Sequence, residues 1–123
     1  MGSRLRDDLL ERFVSYAVRI VDLAETLDEC RRPRRVIDQI IGSGTSPGAQ
    51  MFEASEALSR RDFSKMLGQA AKELSETRFW LLLLQRKNWI AETILMPLLD
   101  ETNQLLKIVK AMRSRTRRNE SGD

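Results

Sequence analysis

The chain has 123 residues, of which 41% are hydrophobic and 32% charged, and it carries a net charge of +3; this is the profile of one soluble globular domain able to bury a core unaided. Histidine is absent and cysteine occurs once, which excludes Ser-His and Cys-His nucleophile pairs, a neutral-pH imidazole base and an internal disulfide. No apolar run approaches the roughly 18 residues of a membrane span, and the charged N-terminal stretch is no signal core, so a reducing cytoplasm and no membrane partner are expected.

The first element reads as a helix. Leu9, Phe13, Tyr16, Ile20, Leu23 and Leu27 recur at spacings of four and three, which places them on one face. Ser3 is the expected cap, Asp7 and Asp8 suit the positive end of the helix dipole, and the pattern stops by Asp28. A second row, Leu10, Val14, Ala17, Val18 and Val21, widens the apolar face enough for more than one neighbour. Cys30 follows, beside Arg31 and Arg32; without a general base nearby it reads as a structural thiol.

Pro33 suits the first turn of helix two, whose rows include Val36, Ile37, Ile40, Ile41, Met51, Phe52 and Leu58. Its middle holds Gly42, Gly44, Pro47 and Gly48, and each weakens a helix, by about 1 kcal/mol for Gly and about 3 for an interior Pro relative to Ala. These residues alone leave two readings open for 42 to 48. They are either a loop between short helices or a kinked helix whose small residues admit a neighbouring backbone.

Ser59-Arg60-Arg61-Asp62 reads as the N-terminal cap of helix three. Phe63, Leu67, Ala70, Leu74, Thr77, Leu81 and Leu84 then hold the four-three spacing, the clearest periodic signal in the chain. From Phe79 to Leu84 the helix is apolar around its whole circumference. Such a segment is buried on all sides, and a second subunit is favoured over a loop as its cover. This makes Phe79, Trp80, Leu82 and Leu83 the candidate oligomer contacts.

A polar turn from Gln85 to Ala91 surrounds Trp89, and helix four is expected from about Thr93, with Pro97 in its first turns, to about Arg113. Residues 114 to 123 have no apolar side chain apart from the threonine methyl and are expected to form a disordered basic tail after a domain of residues 1 to 113. The fold class is therefore all-α, an antiparallel up-down-up-down four-helix bundle. The Glu-x-x-His motif that holds metal in some bundles is absent. Glu53, Glu56, Glu73 and Glu76 sit at i,i+3 spacings, but without histidine they read as a solvated or salt-bridged face. Gly42-Ser43-Gly44 lacks the Lys-Ser or Lys-Thr ending of a phosphate loop. No catalytic residue, metal or cofactor is expected.

Ser46-Pro47-Gly48-Ala49, Glu53-Ala54, Ala57-x-Ser59, Asp62-Phe63, Lys65, Ala71-Lys72-Glu73, Glu76-Thr77 and Trp80-Leu81 together resemble the bacterial four helix bundle protein family. That family includes proteins encoded in intervening sequences of the large-subunit ribosomal RNA gene, once labelled ribosomal protein S23-like. It is related to the accessory protein of diversity-generating retroelements. The resemblance implies a four-helix bundle, a kinked helix over residues 42 to 48, a ring of five subunits and no catalysis. It further implies a nucleic-acid role, established best for the retroelement proteins, which bind RNA or DNA and a reverse transcriptase. Family members commonly carry Asn where this chain has Gln50. With Glu53, Lys72, Glu73 and Glu76, that residue forms a polar motif expected to make paired contacts between helices or subunits.

Charge placement says more than net charge. In an antiparallel bundle the one-two and three-four connections share an end, which collects Arg31, Arg32, Arg34, Arg35, Arg86 and Lys87. The other end gathers Arg4, Arg6, Arg60, Arg61, Arg113, Arg115, Arg117 and Arg118. Helix C-termini attract cations and so account for Arg113 to Arg118, but Arg31 to Arg35 precede and open a helix, where the dipole opposes them. Arginine suits phosphate because one guanidinium holds two oxygens. Two functions follow as expectations: an oligomeric nucleic-acid-binding accessory protein, or a scaffold for a protein partner with arginines serving solubility.

Overall fold

The computed structural model describes residues 5 to 122 as α1 (Asp7–Glu29), α2 (Arg34–Ser55), α3 (Arg60–Lys87) and α4 (Glu92–Gly122). Helices adjacent in sequence pack together, α1 closes the bundle through a thin contact with α4, and the backbones of α1 and α3 stand apart across the core. This is an antiparallel four-helix bundle with α1 diagonal to α3.

Ser3 lies outside the described residues. The position before α1 is Arg6, without a side-chain cap, and the Asp8 carboxylate accepts from the Leu9 amide at 3.0 Å instead. Both connections at the far end of α1 are built alike. After α1, Arg31 takes a left-handed φ of 58°, its amide donates to Asp28 O at 2.9 Å and that of Arg32 to Leu27 O at 3.0 Å. After α3, Asn88 takes φ 56°, its amide donates to Gln85 O at 3.1 Å and that of Trp89 to Leu84 O at 3.3 Å. Each is a Schellman stop that satisfies the last carbonyls of its helix.

Helix α2 runs uninterrupted through Gly42, Gly44, Pro47 and Gly48, so the loop reading of 42 to 48 fails. Tertiary packing is the reason. A Cβ on Gly44 would sit 2.6 Å from Ile20 Cγ2, and one on Gly48 would sit 3.6 Å from the Phe13 carbonyl oxygen. The small residues thus let α2 lie against α1, and this burial outweighs poor propensity. Pro33 precedes the helix at its cap position. Leu58, expected in the apolar row of this helix, lies beyond its end and is 90% exposed.

Helix α3 follows its pattern closely: Ser59 Oγ accepts from the Asp62 amide at 3.1 Å, and the whole row from Phe63 to Leu84 is buried. Helix α4 departs from expectation. It continues past Arg113 to Gly122 where a disordered tail was expected. In this stretch Thr116 Oγ1 donates to Met112 O at 2.9 Å and Arg118 to Ser114 Oγ at 2.8 Å, both side-chain bonds spanning one helical turn.

The thin α1–α4 seam is held by polar groups. Tyr16 OH lies 2.6 Å from Thr102 Oγ1, which itself donates to Leu98 O at 2.8 Å, so the tyrosine is the donor to Thr102. Arg12 forks onto Glu101 at 2.8 and 2.6 Å and also reaches Gln104 at 2.8 Å. That hydrogen bond raises the Arg12 pKa further, fixing the guanidinium charge.

Candidate nucleic-acid interface

At the end bearing the two connections, the matched Schellman stops place Arg32 and Trp89 at equivalent positions, and they meet. The Arg32 guanidinium lies 4.8 Å from the Trp89 ring centroid, with Lys87 Nζ at 5.4 Å, a double cation–π contact. Arg34 pairs with Asp28 and, at 3.7 Å, with Asp38. Arg31, Arg35 and Arg86 are exposed and form no ion pair among the described residues. The cluster expected here is thus assembled but partly neutralised: Arg34 is matched by carboxylates and Arg32 is stacked.

The opposite end divides where the sequence suggested one group. Arg113 and Arg117 turn towards α3 and line, with Arg61, Lys65 and Lys72, a groove of about 620 Å³ between α3 and α4. Arg115 instead lines a separate depression with Arg6, Asp8 and Arg12 on the α1 side. Arg6 pairs with Asp8 at 3.1 Å and Arg118 bonds Ser114. Arg60 is exposed at the start of α3, and Arg4 lies outside the described residues. Lys65 and Gly68 were missing from the expected site. Gly68 matters because a Cβ there would come within 2.8 Å of Arg113 Cζ: the bare glycine leaves room for that guanidinium to lie across α3.

The polar motif does not assemble as expected within one subunit. No hydrogen bond or ion pair joins Gln50 or Glu53 to Lys72, Glu73 or Glu76 among the described residues. The reason is rotation about the helices: Lys72 faces the α3–α4 groove, Glu53 points to solvent, and Gln50 Oε1 is buried without a donor. Glu73 is raised above the ordinary carboxyl range by burial and then by its neighbour Glu76, with Lys72 opposing. Among the described residues no three candidate ligands converge on a metal position, and no helix is long and apolar enough to cross a membrane.

The apolar segment of α3 is half covered. Leu81 and Leu84 are fully buried, whereas Phe79 is 57% and Leu82 43% exposed. Trp80 and Leu83 pack partly on the core, and Phe79 meets Trp80 edge-on at 5.0 Å. In the second row of α1, Leu10 is buried but Val14, Val18 and Val21 are exposed, so within the subunit that row finds fewer neighbours than expected.

These features define a class: an antiparallel helical bundle with cations concentrated at both ends and uncovered apolar stripes on two of its helices. The chain belongs to the 23S rRNA-intervening sequence protein family, whose model matches residues 8–111. It is also similar to a crystal structure of a protein of unknown function from the S23 ribosomal protein family of Bacteroides thetaiotaomicron. That similarity has 33% identity and a TM-score of 0.81, and covers 85% of this chain and 97% of the other. No curated protein matches.

Proposed function

We propose that this protein is a non-enzymatic, homo-oligomeric accessory protein of the cytoplasm that binds RNA or DNA through the phosphate backbone at its basic bundle ends. The observation that carries this reading is a set of cations that form no ion pair among the described residues. Arg35 and Arg61 lie in the first turns of α2 and α3, where the dipole opposes them, and Arg31 stands in the turn between α1 and α2. Arg31 also occupies a left-handed position that a side chain rarely adopts, and a residue kept there against its preference suggests a use. Catalysis has no support, since histidine is absent. Fluorescence anisotropy at low salt with RNA and DNA of unrelated sequence tests the reading: similar affinities are expected, and no binding to any of them overturns it.

The oligomer is proposed as a ring, of five subunits as the family resemblance implies. The exposed stripe Val14, Val18, Val21 on α1 and the pair Phe79, Leu82 on α3 lie on diagonal helices. Unlike patches on opposite sides join head to tail, and such contacts form a ring when the rotation between neighbours closes. Light scattering should give a mass near five times the 14.2 kDa chain, and a monomer would contradict it. The same apolar residues favour a second reading, a scaffold for a protein partner such as a reverse transcriptase, in which nucleic acid does not bind.

A further inference from the structure

We infer that the groove between the start of α3 and the last third of α4 is the principal track for the nucleic-acid backbone, holding it through phosphates without reading bases. This rests on the nucleic-acid reading above and assigns it a place. Arg61, Lys65 and Lys72 line the groove from α3, Arg113 and Arg117 from α4, and Asp62 is the one acid in the lining. None of the five cations forms an ion pair among the described residues. By contrast, the basic turn at the other end spends Arg34 on Asp28 and Asp38 and Arg32 on Trp89.

Ordinary helix electrostatics does not explain these charges. Cations gain from a helix dipole only in the last turn, and α4 ends at Gly122, more than two turns beyond Arg113. Arg61 lies in the first turn of α3, where the dipole repels it. The groove is also shaped for a guanidinium. Gly68 leaves the space in which Arg113 lies, since an added Cβ would approach its Cζ to 2.8 Å and its Nε to 3.0 Å. In that position Arg113 Nε is buried yet meets no acceptor among the described residues.

The length of the groove selects its ligand. Arg61 to Lys72 spans about 16 Å along α3 at 1.5 Å per residue, a length over which one strand of a duplex, with a charge for each roughly 3.4 Å of helix axis, carries several phosphates. A single phosphate needs a cup, whereas this is a track for a chain of them. Its lining holds no aromatic side chain, so there is no platform for stacking and no preference among sequences.

The test measures binding of short labelled single-stranded RNA and DNA, two unrelated sequences of each, against salt concentration. It uses the whole chain and three variants: Gly68→Ala, Arg113→Gln/Arg117→Gln, and Arg31→Gln/Arg35→Gln. Gly68→Ala removes no charge and improves helix propensity, and the atoms it displaces are the far end of a flexible side chain, so circular dichroism should show an intact fold. It is expected to weaken binding severalfold on every sequence. The α4 double variant should lower the salt slope by about two units, and the turn double variant, removing the same charge, by clearly less. If Gly68→Ala binds like wild type, or the turn variant loses as much as the α4 variant, the groove assignment is overturned while nucleic-acid binding stands. If wild type binds none of the probes at low salt, the nucleic-acid reading falls and the groove falls with it.

Discussion

Tyr16 is buried at the α1–α4 seam, where backbone contact is thin, and its hydroxyl supplies one of the hydrogen bonds across it, to Thr102. Burial pushes its pKa from 10.0 up to about 12. Because the folded state holds the proton more tightly than the unfolded one, this contribution is complete below pH 10.0 and disappears as pH rises through about 12. Tyr16→Phe should cost about 1 kcal/mol at neutral pH and flatten the alkaline loss of stability, which thermal melts across that interval would read. Arg31 poses the reverse case. A side chain in the left-handed region costs roughly 1 to 2 kcal/mol, so Arg31→Gly should stabilise the fold by up to about 1 kcal/mol, seen as a higher denaturant midpoint. The periodic row of α3 was legible from sequence because its spacing is local. The left-handed Arg31 was not, since nothing but the path of the turn demands it.

At the scale of elements, α2 and α4 show where propensity misleads. Gly42 and Gly44 look alike in sequence, yet a Cβ on Gly42 meets nothing within 4 Å while one on Gly44 strikes the buried Ile20 at 2.6 Å. Gly42→Ala should therefore gain up to about 1 kcal/mol, and Gly44→Ala should lose, because overpacking of about 1 to 3 kcal/mol exceeds the propensity gain. Paired urea melts would show opposite shifts of midpoint, and a shared direction would contradict the packing of α2 on α1. The sequence left 42 to 48 open because the deciding partner, Ile20, lies in another helix. In α4 the structure holds more helix than the sequence pattern predicts. A polar stretch without an apolar stripe gave no helix signal beyond Arg113, although Thr116 and Arg118 bond back one turn. That extension aligns Arg117 with Arg113 on the groove, and the groove is therefore not legible from the apolar pattern.

For the whole molecule, the bundle was legible from four apolar stripes, and the concentration of charge at its ends from element order. The division of that charge was not legible. Whether Arg113 and Arg115 share a surface depends on the rotation of α4 about its axis, and only the packed structure separates them, Arg113 against α3 and Arg115 towards α1. The cations that form no ion pair among the described residues are the ones proposed to bind a phosphate backbone. Phosphate neutralisation releases counterions, so log K falls linearly with log salt at roughly 0.7 to 0.9 units per contact. The most direct measurement is the affinity of the intact protein for two unrelated RNA sequences over a series of salt concentrations. Two lines of equal steep slope, several units per decade of salt, are expected; a flat line, or strong binding of one sequence alone, would overturn backbone binding.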